Sequence, residues 1–473
     1  MIRDARQLQR EGTRYLFPGV NRREIGIVSL ISWLMIAPTP MSTPCASAEE
    51  VCEGACLVRL LIGLEHEVPE AREVARAHLL QRWTDERQAL ADFGTWMQPS
   101  QPAELAELLK EPSMQRAILE LLLAKLEHAK WKLELIGGLA AQQVYYPMLS
   151  LNLAVAPLRA LMRDRDPAVR ARAARTLGEL AERARSDYGT DADYAAATAE
   201  VAAMLADPEP ESRSAAVSAL AQLHAREQLR AILERLDDDA PRVRAEAIGA
   251  LATLDGGQLS QEHRRDVAPR LQDADAQVRA VAIQAISAAG GAEFAERIAQ
   301  GLGDGQPEVR AQAINALAQL NARQFVKPVH DLLEDRDARV RAAAALALAQ
   351  FGELAAAGSI AKSMTDPDAS VRAAAIQALA RLGATAYTGG IAQRLTGDER
   401  SIRCLAAWAL WKLNAREQVP ALKARLNDVE RCRDYVYRQP GEDVDFGQGE
   451  WETVRSSAAF VLRSWSLSAG EQP

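Results

Sequence analysis

Aromatic side chains are scarce in this 473-residue chain and basic residues are outnumbered by acidic ones, 56 against 64, and both features limit what it can do. Hydrophobic residues make up 48% of the sequence but aromatic residues only 5%, so the core is built from Ala, Leu, Ile and Val. Such small side chains suit short, closely packed helices. The formal net charge is −8, whereas a protein that binds a phosphate backbone needs clustered Lys and Arg. We therefore expect no nucleic-acid partner.

Histidine is also scarce, and the usual signatures of catalytic sites are missing. The chain has six histidines, and His66-Glu67 is its only His-Glu dipeptide. The others include His224, His263 and His330, which are scattered without the spacing of metal ligands. There is no nucleophile motif and no phosphate-binding loop. The sequence thus predicts no catalytic residue, no metal site and no cofactor.

What the chain does have is a repeat. The stretch from Asp366 to Gly383, DPDASVRAAAIQALARLG, recurs with a Val-Arg or similar pair near its start, and we take that arginine as the marker of each unit. The markers are Arg170, Arg213, Arg244, Arg279, Arg310, Arg341, Arg372 and Arg403, and the last four steps are each 31 residues. Eight units between about residues 155 and 427 predict a solenoid in which each unit contacts only its neighbours.

Each unit reads as a first helix, an acidic turn and a second helix. An aspartate stands six residues before the marker arginine in seven units, and in the eighth, Asp398 is displaced by one. We expect this aspartate to accept N–H groups at the start of the second helix. The arginine can reach that carboxylate or its equivalent in the next unit, which predicts a structural ladder. Its central members are Asp273, Arg279, Asp304, Arg310, Asp335, Arg341, Asp366 and Arg372.

The second helix has an apolar stripe and a glycine at its end. Spacings of three and four predict one buried face, formed in the seventh unit by Val371, Ala375, Ile376, Leu379 and Leu382. Gly383 and Gly352 stand where a helix C-cap belongs. Proline at the start of some first helices fits the position where a missing N–H costs nothing.

The unit P-x-x-x-L-L-x-D-x-D-x-x-V-R-x-x-A-x-x-A-L resembles the short, bacterial HEAT-like repeat, also called the phycobilin-lyase HEAT-like repeat. The resemblance covers about residues 155–427. It implies an all-α fold, an armadillo/HEAT-like solenoid of stacked two-helix repeats. The ankyrin and tetratricopeptide signatures are absent.

The resemblance also implies that the second helices line a concave face. We call the positions two and five after each marker arginine the trough, because both should point away from the apolar stripe. The trough is mostly uncharged, basic at one end and apolar-aromatic at the other, which favours a protein or peptide partner. The candidate partner-binding residues are Gln284, Gln312, Asn315, Gln377 and Trp408. Two interpretations of Trp408 and Trp411 stay open: packing against a C-terminal cap, or Trp408 as a binding anchor.

Two functions are therefore expected from this pattern. The first is a non-catalytic scaffold or adaptor that holds a protein or peptide partner in the trough. The second, which the resemblance raises, is a chromophore-lyase-like or other protein-modifying enzyme that uses the same trough for its protein substrate. Bound pigment or metal would favour the second. Fold-level analogy identifies no partner.

The N-terminus predicts export. Arg22-Arg23 precede the apolar run at residues 25–38, and Ala46-Ser47-Ala48 follows, so residues 1–48 read as a polar extension and a signal peptide of the Sec or Tat type. We expect a bacterial periplasmic protein. The alternatives are a cytoplasmic protein, or a protein that residues 25–38 anchor to the membrane because they are not cleaved. That apolar run is shorter than a usual transmembrane helix.

The segments flanking the repeats read as helical caps. We expect residues 49–154 to form an irregular helical cap or degenerate repeats. The stretch from Leu135 to Leu158 has no charged residue, but Gly, Gln and Pro residues interrupt it, which favours a buried helix and a loop over a membrane span. Residues 428–473 predict a C-terminal cap with an acidic loop insertion and a final helix. Asp443 and Asp445 in the insertion are too few for a cation site.

Export would leave four cysteines, an even number, in an oxidising compartment. Cys404 begins the second helix of repeat eight and Cys432 follows the next first helix, so both should lie at the same end of adjacent units. We predict a Cys404–Cys432 disulfide. Cys52 and Cys56 are one helical turn apart, a strained geometry for a bridge. The alternative is four free thiols in a cytosolic protein.

Overall fold

The computed structural model describes the helical part of the chain. The described residues are 57, 60–61, 63–64, 69–98, 108–140, 151–184, 192–396, 399–425 and 454–468. The predicted signal peptide at residues 1–48 and the predicted insertion at 428–453 lie outside them.

Every regular element in these ranges is a helix. The α-helices are α1 (Pro69–Arg82), α2 (Glu86–Trp96), α3 (Pro112–Lys125), α4 (Ala129–Ala140), α5 (Leu151–Leu161), α6 (Pro167–Ala184), α7 (Ala192–Ala203), α8 (Pro210–Gln222), α9 (Leu229–Glu234), α10 (Pro241–Leu254), α11 (Gln261–Val267), α12 (Ala276–Ala288), α13 (Ala295–Ala299), α14 (Pro307–Gln319), α15 (Val326–Asp331), α16 (Ala338–Gln350), α17 (Ala357–Lys362), α18 (Ala369–Arg381), α19 (Thr388–Gln393), α20 (Arg400–Lys412), α21 (Val419–Lys423) and α22 (Val454–Ser468).

The chain divides into two compact units. The first comprises Met1–Thr84 and Ser100–Ala117, and the second comprises Asp85–Pro99 and Ile118–Pro473. Within the first unit, helix α1 buries Leu79, and the buried side chain of Gln115 donates a hydrogen bond from Nε2 to the Leu109 carbonyl at 2.6 Å. That bond satisfies a polar group which would otherwise be costly to bury.

The second unit is an α-solenoid. Short first helices alternate with second helices of about 13 residues, and each second helix packs against the next from α6 to α20. Most of the first helices are short α-helices with a 3₁₀ turn on each side. Helix α15, for example, lies between the 3₁₀ turns Arg323–Phe325 and Leu332–Glu334. The stacking of like helices buries a continuous aliphatic core.

The apolar stripe of the second helix forms this core. In α18, Val371, Ala375, Ile376 and Leu379 have no exposed surface, whereas Leu382 is half-buried at the end of the helix. The small side chains let neighbouring helices approach closely, as the scarcity of aromatic residues predicts.

The second helices end in a left-handed residue, as predicted for Gly352 and Gly383. Their φ angles are 70° and 66°, and the N–H of Ala384 returns to the carbonyl of Leu379 at 3.0 Å. Asn321 and Asn414 adopt the same conformation with φ of 50°. Glycine and asparagine tolerate this region best.

Candidate functional site

The marker arginines join each repeat to the next. In six consecutive boundaries, Nε and Nη2 of one arginine donate to the two carboxylate oxygens of the aspartate in the following unit, at 2.6–2.9 Å. The pairs are Arg170–Asp207, Arg213–Asp238, Arg244–Asp273, Arg279–Asp304, Arg310–Asp335 and Arg341–Asp366. Of the two partners that the sequence leaves open, each arginine therefore uses the aspartate of the next unit.

Each arginine also holds the turn of its own unit. Nη1 of Arg341 donates to the carbonyl of Asp335 at 2.8 Å, while Arg310 of the preceding unit binds the carboxylate of the same Asp335. The side chain of one aspartate and its carbonyl thus bind two different arginines. Bidentate pairs of this kind fix orientation as well as distance, so the ladder sets the register of successive repeats.

The ladder aspartates do not cap the second helices, and our expectation of that role was wrong. Asp335 accepts the N–H of Asp337 at 2.8 Å, which closes a tight turn ahead of helix α16. The N-cap is Asp337 itself, which accepts the N–H of Arg339 at 2.9 Å. The cap lies two residues closer to the helix because the ladder aspartate ends the preceding 3₁₀ turn.

The surroundings favour the charged form of each ladder aspartate. Burial alone would raise the pKa of Asp335, but the hydrogen bonds from Arg310 and from the Asp337 N–H outweigh it and hold that pKa below its usual value. The same balance lowers the pKa of Asp366, which binds Arg341. The pKa of Arg310 is raised, first by its hydrogen bond to Asp335. Both partners therefore stay ionised at neutral pH.

The ladder is preceded by a lysine–aspartate pair, and its last arginine with described contacts of its own unit is Arg372. Before the first repeat, Nζ of Lys132 in helix α4 binds Asp164 at 2.6 Å, and α4 packs against α6 as second helices pack elsewhere. At the other end, Arg372 donates to the carbonyl of Asp366 at 2.9 Å and lies 3.9 Å from the carboxylate of Glu399. Asp398 lies outside the described residues.

The trough positions range from open to covered along the array. Gln284 and Asn315 are exposed and Gln312 is half-buried, whereas Gln377 and Trp408 are only 9% and 8% exposed. The structure therefore keeps the carboxamides of repeats four and five accessible and covers the candidates of repeats seven and eight.

The accessible carboxamides make no hydrogen bond with any other described residue. This holds for Gln284, Gln312 and Asn315, and also for Gln377. A carboxamide carries a donor and an acceptor, so this surface offers paired hydrogen-bonding groups without charge.

The tryptophans at the end of the array pack within the fold. Trp411 makes an edge-to-face contact with Phe460 of helix α22, with ring centroids 5.9 Å apart. Nζ of Lys412 lies 5.2 Å from the centre of the Trp408 ring. The indole Nε1 of Trp408 is buried without a hydrogen-bond partner among the described residues. Of the trough candidates, Trp408 thus presents the least open surface.

A third row of residues, which the sequence did not lead us to expect, lies on the same face. Gln319 and Gln350 are exposed at position nine after their marker arginines, and Lys412 is exposed at the same position of repeat eight. The available signal was the helical period, because position nine lies one turn beyond position five. We call this row the trough border.

Cys404 lies half-buried at the start of helix α20 and is disulfide-bonded. Its predicted partner, Cys432, lies outside the described residues, so the Cys404–Cys432 pairing stays a prediction.

Neither a metal-binding cluster nor a membrane-spanning helix is present in the described ranges. Within them, no group of three or more His, Cys, Asp or Glu side chains is arranged to hold a metal ion. The same ranges contain no helix of the length and apolarity that crossing a membrane requires. A cavity of about 420 Å³ between repeats two and three is lined by ladder residues such as Arg213 and Asp238, and belongs to the ladder.

Comparison with known families gives one match. Residues 198–287, 295–380 and 359–435 match the model of HEAT repeats. That these repeats are of the phycobilin-lyase type stays a prediction. No curated protein matches the chain.

Solved structures give likenesses at low sequence identity. Importin beta in an ammonium sulfate condition is similar with a TM-score of 0.51 and 15% identity, over 88% of this chain and 62% of that one. An engineered protein is similar with a TM-score of 0.38 and 18% identity, over 87% of this chain and 98% of that one. A Kap121p mutant is similar with a TM-score of 0.40 and 13% identity, over 80% of this chain and 46% of that one. The chain spans less than two thirds of the importin beta chain. The likeness to importin beta shows the α-solenoid fold.

Proposed function

We propose that the protein is a non-catalytic scaffold or adaptor that binds a protein or peptide partner along its trough, and the match of residues 198–287, 295–380 and 359–435 to HEAT repeats supports this proposal. The observation that carries the proposal is the row of uncharged carboxamides on neighbouring second helices, Gln284, Gln312 and Asn315, which no other described side chain satisfies. Polar groups of this kind are available to a polypeptide at no cost in broken internal bonds.

The ladder supports the proposal by fixing the distance between repeats. Arg279–Asp304 and Arg310–Asp335 join the repeats that carry the accessible carboxamides. A binding surface spread over several helices needs such rigid support, because affinity falls when partners must be ordered on binding.

Charge favours a polypeptide over a nucleic acid as the partner. The chain carries 64 acidic against 56 basic residues, and many of the arginines are already paired in the ladder. Phosphate readers need unpaired basic rows with aromatic platforms.

We further propose that the protein is exported to the periplasm. The motivation is the signal-like residues 1–48 together with the disulfide at Cys404, since disulfides persist in oxidising compartments. Membrane contact would then be limited to an uncleaved N-terminal segment.

The test is crosslinking and co-purification of tagged protein from its native cells. Wild type is compared with the triple variant Gln284→Ala, Gln312→Ala, Asn315→Ala, and with a matched control, Gln261→Ala, Gln324→Ala, Gln393→Ala, which removes three exposed carboxamides from the first-helix side. We expect a stoichiometric protein that is captured by wild type and control and is depleted at least about tenfold with the trough variant.

Equal capture by all three proteins would contradict the trough as the binding site. An absorption spectrum of the eluate tests the alternative function, because a bound chromophore with a phycobiliprotein-like partner would favour the lyase-type modifying enzyme. Fractionation of the cells, with detection of the tagged chain in the periplasmic fraction, tests export.

A further inference from the structure

We infer that the carboxamide of Gln377 in repeat seven binds the main-chain N–H and C=O of one residue in an extended, uncharged and apolar polypeptide segment. The inference rests on the proposed function and adds the chemistry of the ligand and the residue that recognises it. Gln284, Gln312 and Asn315 then extend the binding surface, whereas Gln377 sets its specificity.

Gln377 is buried but its side chain makes no hydrogen bond. Only 9% of the residue is exposed, and no other described residue bonds to its carboxamide. Gln115, the other buried glutamine of the described residues, has a partner, because its Nε2 donates to the Leu109 carbonyl at 2.6 Å. Buried polar groups are normally satisfied in this way. Gln377 therefore lacks the partner that a buried carboxamide needs.

The carboxamide of Gln377 nevertheless reaches the surface of the trough. Several nitrogen and oxygen atoms of the described residues are fully buried without a partner, among them Nε1 of Trp408, but neither polar atom of Gln377 belongs to this group. Because these two atoms also make no hydrogen bond, the small exposed part of the side chain includes them. The hydrocarbon part of the side chain is packed away, and its polar tip is presented to a ligand.

The neighbouring trough positions are apolar. At position five, Leu346 of helix α16 precedes Gln377 and Trp408 of helix α20 follows it. Helix α18, which carries Gln377, packs against both of these helices. Leu346 is half-buried, and so is Leu405 at position two of α20, so apolar surface remains open in repeats six and eight. A ligand that covers this surface gains from the burial of its own apolar side chains.

Charge is absent from positions two and five of repeats four to eight. A carboxylate or an ammonium group bound here would lose hydration without gaining a counter-charge. A residue in an extended chain presents a neutral N–H and C=O on the same side, and a carboxamide offers the complementary pair, Oε1 for the N–H and Nε2 for the C=O. The main chain of an uncharged, apolar segment therefore matches Gln377 and its surroundings.

A glutamine at position 377 costs the free protein stability. Leu346 holds the same position in the preceding repeat, so the fold accommodates a leucine there. A leucine at position 377 would bury apolar surface and would leave no polar group unpaired. An unsatisfied group whose apolar replacement would stabilise the fold points to a ligand that completes its hydrogen bonds.

The test selects phage-displayed random peptides on the full-length protein. The peptides have about 12 residues, which span about 40 Å when extended. The best peptide is synthesised with a fluorescein label, and fluorescence polarisation measures its affinity for wild type, Gln377→Leu, Gln377→Met and the control Gln115→Leu. A series of peptides in which each main-chain N–H in turn is replaced by N-methyl locates the main-chain contact. Urea unfolding followed by circular dichroism measures the stability of each protein.

We expect both Gln377 variants to weaken binding about tenfold and to raise the urea midpoint. Gln115→Leu should leave binding unchanged and lower the midpoint, because it removes a hydrogen bond that the fold already makes. N-methylation at one position of the peptide should cost about tenfold with wild type and much less with Gln377→Leu, which is the coupling expected of two groups in contact. The selected peptides should carry no charge around that position.

Full affinity for both Gln377 variants, or N-methylation losses of equal size with wild type and Gln377→Leu, would overturn the inference. A fall of the urea midpoint in both variants would do the same, because it would show that the carboxamide is satisfied within the fold. Weaker binding of the peptides to the trough variant Gln284→Ala, Gln312→Ala, Asn315→Ala would leave the proposed function standing in these cases. The absence of any enriched peptide, or full affinity for the trough variant and for Gln377→Leu alike, would overturn both.

Discussion

The guanidinium of Arg341 and the carboxylate of Asp366 meet edge to edge across the boundary between repeats six and seven, with Nε and Nη2 each 2.8 Å from a carboxylate oxygen. Both side chains are largely buried, with 15% and 11% exposed. Such a pair does little for stability compared with well-packed apolar residues, but removing one partner leaves an uncompensated charge. The stability of the array should therefore be sensitive to single changes in the ladder.

Arg341→Met should destabilise the protein by about 2–3 kcal/mol, because Asp366 would lose the two hydrogen bonds from the guanidinium and its counter-charge. The matched control is Arg339→Met, two residues earlier on the same helix. Arg339 also binds two carboxylates, those of Asp337 and Glu308, but its side chain is 60% exposed. Urea unfolding followed by circular dichroism measures both, and equal shifts of the midpoint for the two variants would contradict the role of the ladder.

Acid should weaken the array steeply below about pH 4. The pKa of each ladder aspartate, including Asp304, Asp335 and Asp366, is lower in the folded protein than its ordinary value of 3.8. A lowered folded pKa gives stability that is present above the unfolded pKa and is lost as the pH falls through the folded pKa. Thermal midpoints between about pH 2.5 and 7 measure the effect.

The variant Arg341→Met sharpens this test. Without the guanidinium, the pKa of Asp366 should no longer be depressed by its largest favourable contact, and the variant should lose less stability than wild type on acidification. Parallel pH profiles for the two proteins would show that the ladder does not produce the acid dependence.

Gly383→Ala should destabilise the protein by about 1 kcal/mol, because its φ of 66° is strained for an alanine. No heavy atom lies within 4 Å of the position that the added Cβ would take, so the cost is confined to the backbone. Gly249→Ala is the control, since its Cβ would also meet open space but its backbone is helical. That change should stabilise by roughly 0.5–1 kcal/mol. Two shifts of the same sign would refute the explanation from φ.

The disulfide at Cys404 should join it to Cys432. Alkylation of the native, unreduced protein followed by non-reducing digestion and mass spectrometry should give a linked pair of peptides containing these two cysteines. In Cys432→Ser, Cys404 should become alkylatable. A linkage of Cys404 to Cys52 or Cys56 would contradict the predicted pairing.

Sequence periodicity was sufficient for the repeat, the apolar stripe and the left-handed glycines, because each depends on residues close in the chain. The direction of the ladder was not available in this way, since the repeat pattern offers Arg310 both its own Asp304 and the next Asp335 as a partner. Only the packing of neighbouring units decides between them. The N-cap was misplaced by two residues because a 3₁₀ turn, invisible in the pattern, ends at the ladder aspartate.

The candidate site was harder to predict than the fold. The trough positions were identified from the helical period, but their exposure depends on neighbours from other units. Gln377 is covered although it occupies the position at which Gln284 is open. Trp411 contacts Phe460, which lies 49 residues away in sequence, on a helix that follows the predicted insertion. Contacts of that range leave no local signal.

Because six consecutive joints of the ladder are made by the same two side chains in the same geometry, cutting the array at one of these joints leaves ends chemically equivalent to those left at another. If a whole 31-residue unit is deleted or duplicated, the arginine at the new junction again faces the aspartate of the following unit. An insertion or deletion of only a few residues would separate the two side chains. Array length can therefore vary by gene duplication in whole units, so the number of contacts offered to a partner can change without redesign of the core.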